Sequence, residues 1–125
     1  MVFIHGFSVP SYIWDDTYYS ASEKGYKVLR LDLYGRGYSS NLDIDYTDNL
    51  LAGQVIELLE ELNIKKATLL GLSNGGRVIS KIAYLKPELV EKLIYVCIMN
   101  SKQFSFIINK FKKADIMWII THSSQ

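Results

Sequence analysis

The chain has 125 residues, room for one domain and not two, with 49% apolar and 22% charged side chains. That balance favours a packed core over a disordered chain. A net charge of +1 gives no global pull toward nucleic acid or an anionic membrane, although residues 1–62 hold four Lys/Arg against ten Asp/Glu and residues 63–125 hold ten against three.

Met1–Ile4 is a short apolar run ending at His5-Gly6 and reads as a strand. It has neither the basic n-region nor the long apolar h-region of a signal peptide. Residues 12–23 are compatible with a helix that Gly25 stops in a left-handed C-cap. Tyr26–Leu33 reads as a strand, after which Gly35 and Gly37 open a loop reaching to about Asp45. Thr47 or Asp48 can cap a helix through Leu62, with Leu51, Val55, Leu58, Leu59 and Leu62 on one face. Ala67–Leu72 is the next strand. A helix is expected from about Gly75 to Leu85, closed before Pro87, and Lys92–Ile98 reads as a further strand.

This alternation predicts an α/β fold with a mostly parallel sheet of about four strands and helices on both faces. The nearly continuous apolar character of the strands fits burial on both sides. Residues 1–99 form the expected core, and 100–125 a divergent tail or the start of a cap. Within that stretch Phe104, Ile107, Ile108 and Phe111 have helical spacing, and residues 116–120 form a compact apolar run. A helical cap, a core element and a tail all fit them. No apolar run approaches the roughly 20 residues a membrane span needs. The single cysteine, Cys97, lies in an apolar run and reads as a buried thiol in a reducing compartment, so the cytoplasm is the expected location.

The strongest chemical signal is Gly71-Leu72-Ser73-Asn74-Gly75-Gly76, placed after an apolar strand and before a helix. This is the G-x-S-x-G pattern of a nucleophile elbow. A serine at so tight a turn has its hydroxyl lifted above the C-terminal rim of the sheet, where open α/β folds bind ligands. The turn strains the serine backbone, and glycines at 71 and 75 avoid side-chain clashes beside it. The helix start also directs unpaired N–H groups at any oxyanion formed there. A plain small-residue turn would use the same letters, so the neighbouring motifs matter.

Two of them arrive in order: His5-Gly6-Phe7 after the first strand, and Asp32-Leu33-Tyr34-Gly35-Arg36-Gly37-Tyr38-Ser39 after the second. With these the chain resembles the α/β-hydrolase superfamily over residues 1 to about 99. The first segment is similar to the His-Gly loop after that fold's third strand, and the second to the D-x-x-G-x-G-x-S loop after its fourth. The resemblance implies Ser73 as nucleophile and the backbone N–H groups of Phe7 and Asn74 as oxyanion donors. It implies that His5 shapes the oxyanion loop and is not the catalytic base, and that Asp32 and Arg36 stabilise their loop as an ion pair. Serine, not aspartate, at the nucleophile position implies acyl transfer to water from a small ester, thioester or amide through an acyl-enzyme. Carbon–carbon cleavage of diketones is also open.

A serine hydroxyl becomes nucleophilic when a base accepts its proton, and a carboxylate usually orients that base. After Ser73 the only carboxylates are Glu88, Glu91 and Asp115, and the only histidine is His122. Order permits Asp115 with His122. In the family, however, acid and histidine occupy separate loops after two further strands, for which too few residues remain. Glu88 and Glu91 belong on the opposite edge of the sheet, and the alternative acid position holds Met99-Asn100-Ser101. The expectation is the N-terminal portion of a serine hydrolase, inactive by itself, or else a non-catalytic binding or regulatory protein keeping half the fold. A minimal esterase using His122 is the third reading. Bare sheet edges would open either half-fold to self-association. No cofactor or metal is expected, for there is no clustered His/Cys/carboxylate set and no G-x-G-x-x-G after a strand.

Overall fold

A computed structural model describes residues 1–7 and 10–96 and the backbone of 116–119. Five strands, β1 (Val2–Ile4), β2 (Leu29–Arg30), β3 (Ala67–Leu72), β4 (Val90–Val96) and β5 (Ile116–Ile119), form one sheet in the order β2-β1-β3-β4-β5. Every neighbouring pair is parallel. Parallel neighbours need crossover connections, and helices α1 (Asp15–Glu23), α2 (Asp48–Glu61) and α3 (Asn74–Leu85) supply the first three. Short 3₁₀ turns at Ser11–Trp14 and Pro87–Leu89 lead into α1 and β4.

Side chains alternate across a strand, so the sheet sorts them to two faces. Phe3, Leu70 and Ile94 pack with Trp14 and with Tyr18 and Ala21 of α1. Val2, Ile4, Leu69, Leu93 and Tyr95 pack against α2 and α3 in the larger cluster. The helices therefore cover both faces, as the alternating pattern predicts. The path from β1 to β2 runs one way along the sheet, and the path from β2 to β3 reverses it. That reversal opens a crevice at the C-terminal ends of β1 and β3, the place where open α/β sheets hold ligands.

Several elements depart from the sequence reading. Only Leu29–Arg30 of the expected strand Tyr26–Leu33 joins the sheet. β2 is an edge strand whose one neighbour offers Val2 and Phe3 as partners; further on, the Leu33 N–H meets the His5 ring instead of a backbone carbonyl. α1 is preceded by a 3₁₀ turn and closes as expected at Gly25 (φ 92°), with Gly25 N–H bonded to Ser22 O and Tyr26 N–H to Ala21 O. In α2 the Thr47 hydroxyl caps the Leu50 N–H at 3.1 Å, but the buried face is Leu51, Ala52, Val55, Ile56 and Leu59. Leu62, expected on it, is the C-cap residue and 51% exposed. β4 starts at Val90, two residues early, and Cys97 and Ile98 lie outside the described residues, as does Phe104–Phe111. The apolar run near the C-terminus supplies a fifth strand, Leu93 pairing with Ile116 and Val96 with Ile119. Among the described residues no helix is long and apolar enough to cross a membrane.

Candidate active site

The chain turns from β3 into α3 at a single residue, Ser73, whose φ of 51° and ψ of −111° fall outside the regions an L-residue ordinarily occupies. Its N–H donates to Val96 O at 2.8 Å, so pairing with β4 persists up to the turn. Its carbonyl accepts from Gly76 N–H at 2.9 Å, which starts the helix at once. The flanking glycines are demanded by contact. A Cβ on Gly71 would lie 2.5 Å from Gly75 O, and one on Gly75 would lie 2.5 Å from Ile4 O and 2.8 Å from His5 O. α3 is thus seated directly on the ends of β3 and β1. Sparsely populated backbone of this kind costs on the order of 1–3 kcal/mol. Ser73→Gly should therefore leave thermal stability unchanged or raise it by a few degrees, measured by calorimetry, despite the flexibility glycine adds to the unfolded chain.

The loop after β1 meets the turn from the other side. A Cβ on Gly6 would lie 3.4 Å from Leu72 O and 3.8 Å from the Ser73 Cβ. Phe7 follows, and Phe7 and Asn74 line one cavity of about 420 Å³ with His5, Tyr34, Tyr46 and Arg77. The geometry brings together all five residues singled out in the sequence: Gly71, Ser73, Asn74 and Gly75 at the turn, Phe7 in the facing loop.

His5 is fully buried, and both ring nitrogens are engaged. Nε2 accepts from Leu33 N–H at 2.9 Å, so the proton resides on Nδ1, which donates to Gly6 O at 2.7 Å. No nitrogen is left to receive a serine proton, in keeping with a loop-shaping role. Burial pushes the ring pKa below its usual 6.5, against opposing contributions from the Gly6 carbonyl and the Asp32 charge. A folded pKa below the unfolded one gives stability that is present above about pH 6.5 and lost as pH falls through the folded value. Urea unfolding at pH 8 and pH 5.5 should show this decline in the wild type, and His5→Gln should flatten it.

Asp32 and Arg36 both stabilise their loop, but not as the expected ion pair. The Asp32 carboxylate accepts from Ser11 N–H at 2.7 Å and Tyr38 N–H at 3.1 Å. Burial alone would raise its pKa; those donors outweigh burial and hold it below the usual carboxylate value. Its carbonyl takes the Ser39 hydroxyl and, at 3.1 Å, the Gln54 amide, whose oxygen accepts from Tyr34 N–H at 2.9 Å. Arg36 turns instead to Phe7, donating from Nε to the Phe7 carbonyl and placing its guanidinium 4.6 Å from the ring centroid. One amide from the loop and one from the Ser11–Trp14 turn occupy the two Asp32 oxygens, while Arg36 bridges outward.

Gln54 and the Arg77–Asp48 ion pair at 3.0 Å are site features that the sequence reading did not single out. Arg77 is four residues beyond Ser73 and Asp48 opens α2; the opposed charges of the two chain halves were the available signal. Lys86 with Glu60, at 3.8 Å, joins α2 to α3 in the same sense. Glu88, in the Pro87–Leu89 turn, and Glu91, at the start of β4, sit at the N-terminal end of the strands, opposite Ser73, as expected. Asp115, His122 and Met99-Asn100-Ser101 lie outside the described residues.

Comparison with known proteins agrees with this fold. A family model for the alpha/beta hydrolase fold matches residues 1–115. A Haemophilus influenzae protein described as an esterase/lipase is 42% identical over 77 residues, covering 61% of this chain and 26% of that protein. A pimeloyl-[acyl-carrier protein] methyl ester esterase of Aliivibrio fischeri is 35% identical over 105 residues, covering 84% of this chain and 38% of its own length. The crystal structure of the enol-lactonase from Burkholderia xenovorans superposes with a TM-score of 0.73 at 28% identity, covering 78% of this chain and 37% of that one. The chain thus spans between about a quarter and two fifths of the length of these proteins. By its fold, its strand-to-helix turn and this match over most of its length, the chain belongs to the α/β-hydrolase family.

Proposed function

We propose that the chain is the nucleophile-bearing portion of a serine hydrolase that cleaves small esters, thioesters or amides through an acyl-enzyme on Ser73. One observation carries the reading: a serine held at φ 51° between β3 and α3, with the loop bearing Phe7 directly against it. Attack by the Ser73 hydroxyl on an acyl carbon would develop an oxyanion, and the Asn74 and Phe7 amides are the donors assigned to it. The esterase and lactonase relatives support acyl transfer as the reaction class.

The reading also holds that residues 1–125 do not turn over substrate alone. Among the described residues the one histidine is His5, and both of its nitrogens are occupied; the chain covers little more than a third of the esterase it matches. Base and acid are then supplied from outside the described residues. Reading the coding sequence on both sides is the first check, with further strands and a downstream Asp and His expected. The completed protein should become covalently labelled at Ser73 by a fluorophosphonate, whereas the 125-residue chain should hydrolyse p-nitrophenyl acetate no faster than its Ser73→Ala variant. Serine-dependent turnover by the chain alone would contradict the second part of the reading, and labelling elsewhere the first.

A second reading is favoured by the sheet itself: among the described residues β2 and β5 each have one strand neighbour. A binding protein that retains half the fold would pair through those edges. Sedimentation of the purified chain distinguishes it, because a strict monomer without ligands removes this reading.

A further inference from the structure

We propose that Arg36 is a positioning residue that clamps Phe7 in place and so sets the direction of the Phe7 N–H. The inference rests on the reading of Phe7 as an oxyanion donor. Phe7 lies three residues past the end of β1 and is 68% exposed, so neither sheet pairing nor burial fixes it. Arg36 grips it twice. Nε–H donates to the Phe7 carbonyl, which fixes the peptide on the far side of the residue, and the guanidinium face covers the Phe7 ring at 4.6 Å. A planar guanidinium can do both together, bonding in its plane and stacking perpendicular to it; an ammonium cannot.

The clamp needs a firm base, and the loop provides one. Arg36 N–H bonds to Leu33 O at 3.0 Å, Ser39 N–H to Arg36 O at 3.1 Å, and Gly35 N–H to Ser40 O at 3.0 Å. Nη1 of Arg36 donates to Gly35 O at 3.1 Å, which pins the guanidinium to its own turn. Asp32 anchors that turn to Ser11 and Tyr38, and His5 joins Leu33 to Gly6 on the neighbouring loop. The loop after β2 is in this way braced against the loop after β1, and Arg36 is the brace's outermost contact. An oxyanion donor must be held to about 0.5 Å to be effective, which an exposed residue on an unsupported loop would not achieve.

Amide relaxation in the ¹⁵N-labelled 125-residue chain tests this without relying on turnover. The wild type should show Phe7 as rigid as Asn74, with an order parameter near 0.85. In Arg36→Ala the Phe7 value should fall below about 0.6 while Asn74 and the Tm stay unchanged. Arg36→Lys, which keeps the charge but not the planar fork, should loosen Phe7 as the alanine variant does. Phe7 remaining ordered in Arg36→Ala would overturn the proposal. So would a uniform loss of order and Tm, which marks a merely structural residue, or full recovery in Arg36→Lys, which reduces the contact to charge. Fluorophosphonate labelling of the completed protein separates this outcome from the parent reading. A labelled Ser73 with an unchanged Phe7 removes only the clamp; an unlabelled Ser73 with a loosened Phe7 removes its catalytic purpose.

Discussion

Replacing Gly75 with alanine should cost at least about 3 kcal/mol of folding stability, whereas the same change at Gly53 should add about 0.5–1 kcal/mol. The two glycines are both helical, so intrinsic propensity favours alanine at each by a similar amount. They differ in what surrounds them. A Cβ at Gly53, in the middle of α2, meets nothing within 4 Å. A Cβ at Gly75 would stand 2.5 Å from Ile4 O and 2.8 Å from His5 O. Both are backbone atoms, at or next to the end of a strand paired on each side, and cannot move aside as a flexible side chain would. α3 would have to lift from the sheet, taking Val78, Ile79 and Ile82 out of the core. Against a total stability of typically 5–15 kcal/mol, that is a large fraction. Urea denaturation of the two variants beside the wild type reads the contrast directly. Equal, small shifts for both would mean that α3 does not begin against β1.

The second large effect is chemical. In the completed protein, Ser73→Ala should reduce kcat for an activated ester by several orders of magnitude, up to the order of 10⁶ where the full serine machinery operates. The loss should fall on kcat more than on KM, because on the proposed reading the hydroxyl bonds covalently to the acyl carbon and contributes little to ground-state binding. The folded state should be nearly indifferent, since the Ser73 side chain makes no capping bond to α3. Steady-state kinetics with thermal unfolding on the same preparation separates the two. A modest drop in kcat would mean that another group carries the reaction, and a drop in Tm to match would mean that the serine is structural.

Much of the architecture was legible because it is written in short-range periodicity. Ala67–Leu72 is a strand with the predicted ends, since its run is continuously apolar and closed by a turn motif. α2 begins at Asp48 and α3 ends at Leu85, as expected, because Thr47 and Pro87 mark those two boundaries chemically. The misreadings arose where a neighbour decides. Residues 26–33 look like a full strand, but β1 is only three residues long and offers partners to two of them. Leu62 continues the apolar stripe of α2, yet it caps the helix beyond the reach of the sheet. The run at 116–120 carries no periodicity that tells a strand from a helix; pairing with β4 makes residues 116–119 a strand.

At the site, the elbow was readable because backbone strain restricts the residue types on either side of Ser73. The pairing of charges was not. Asp32 and Arg36 are four residues apart in one loop and of opposite sign, an arrangement that invites an ion pair on paper. Which donors reach Asp32 depends on Ser11, 21 positions away, and the contact of Arg36 with Phe7 spans 29. Long-range pairings of that kind leave no mark in local sequence. The Arg77–Asp48 contact also spans 29 positions, and the opposed charges of the two chain halves do not tell which residues meet.

The most direct test is a crystal structure of the completed protein after reaction with a fluorophosphonate. The phosphorus should be bonded to the Ser73 Oγ, with one phosphonyl oxygen about 2.7–3.1 Å from the backbone nitrogens of both Asn74 and Phe7. A phosphonyl oxygen turned away from those amides, or a Ser73 left unmodified while another side chain carries the adduct, would contradict it.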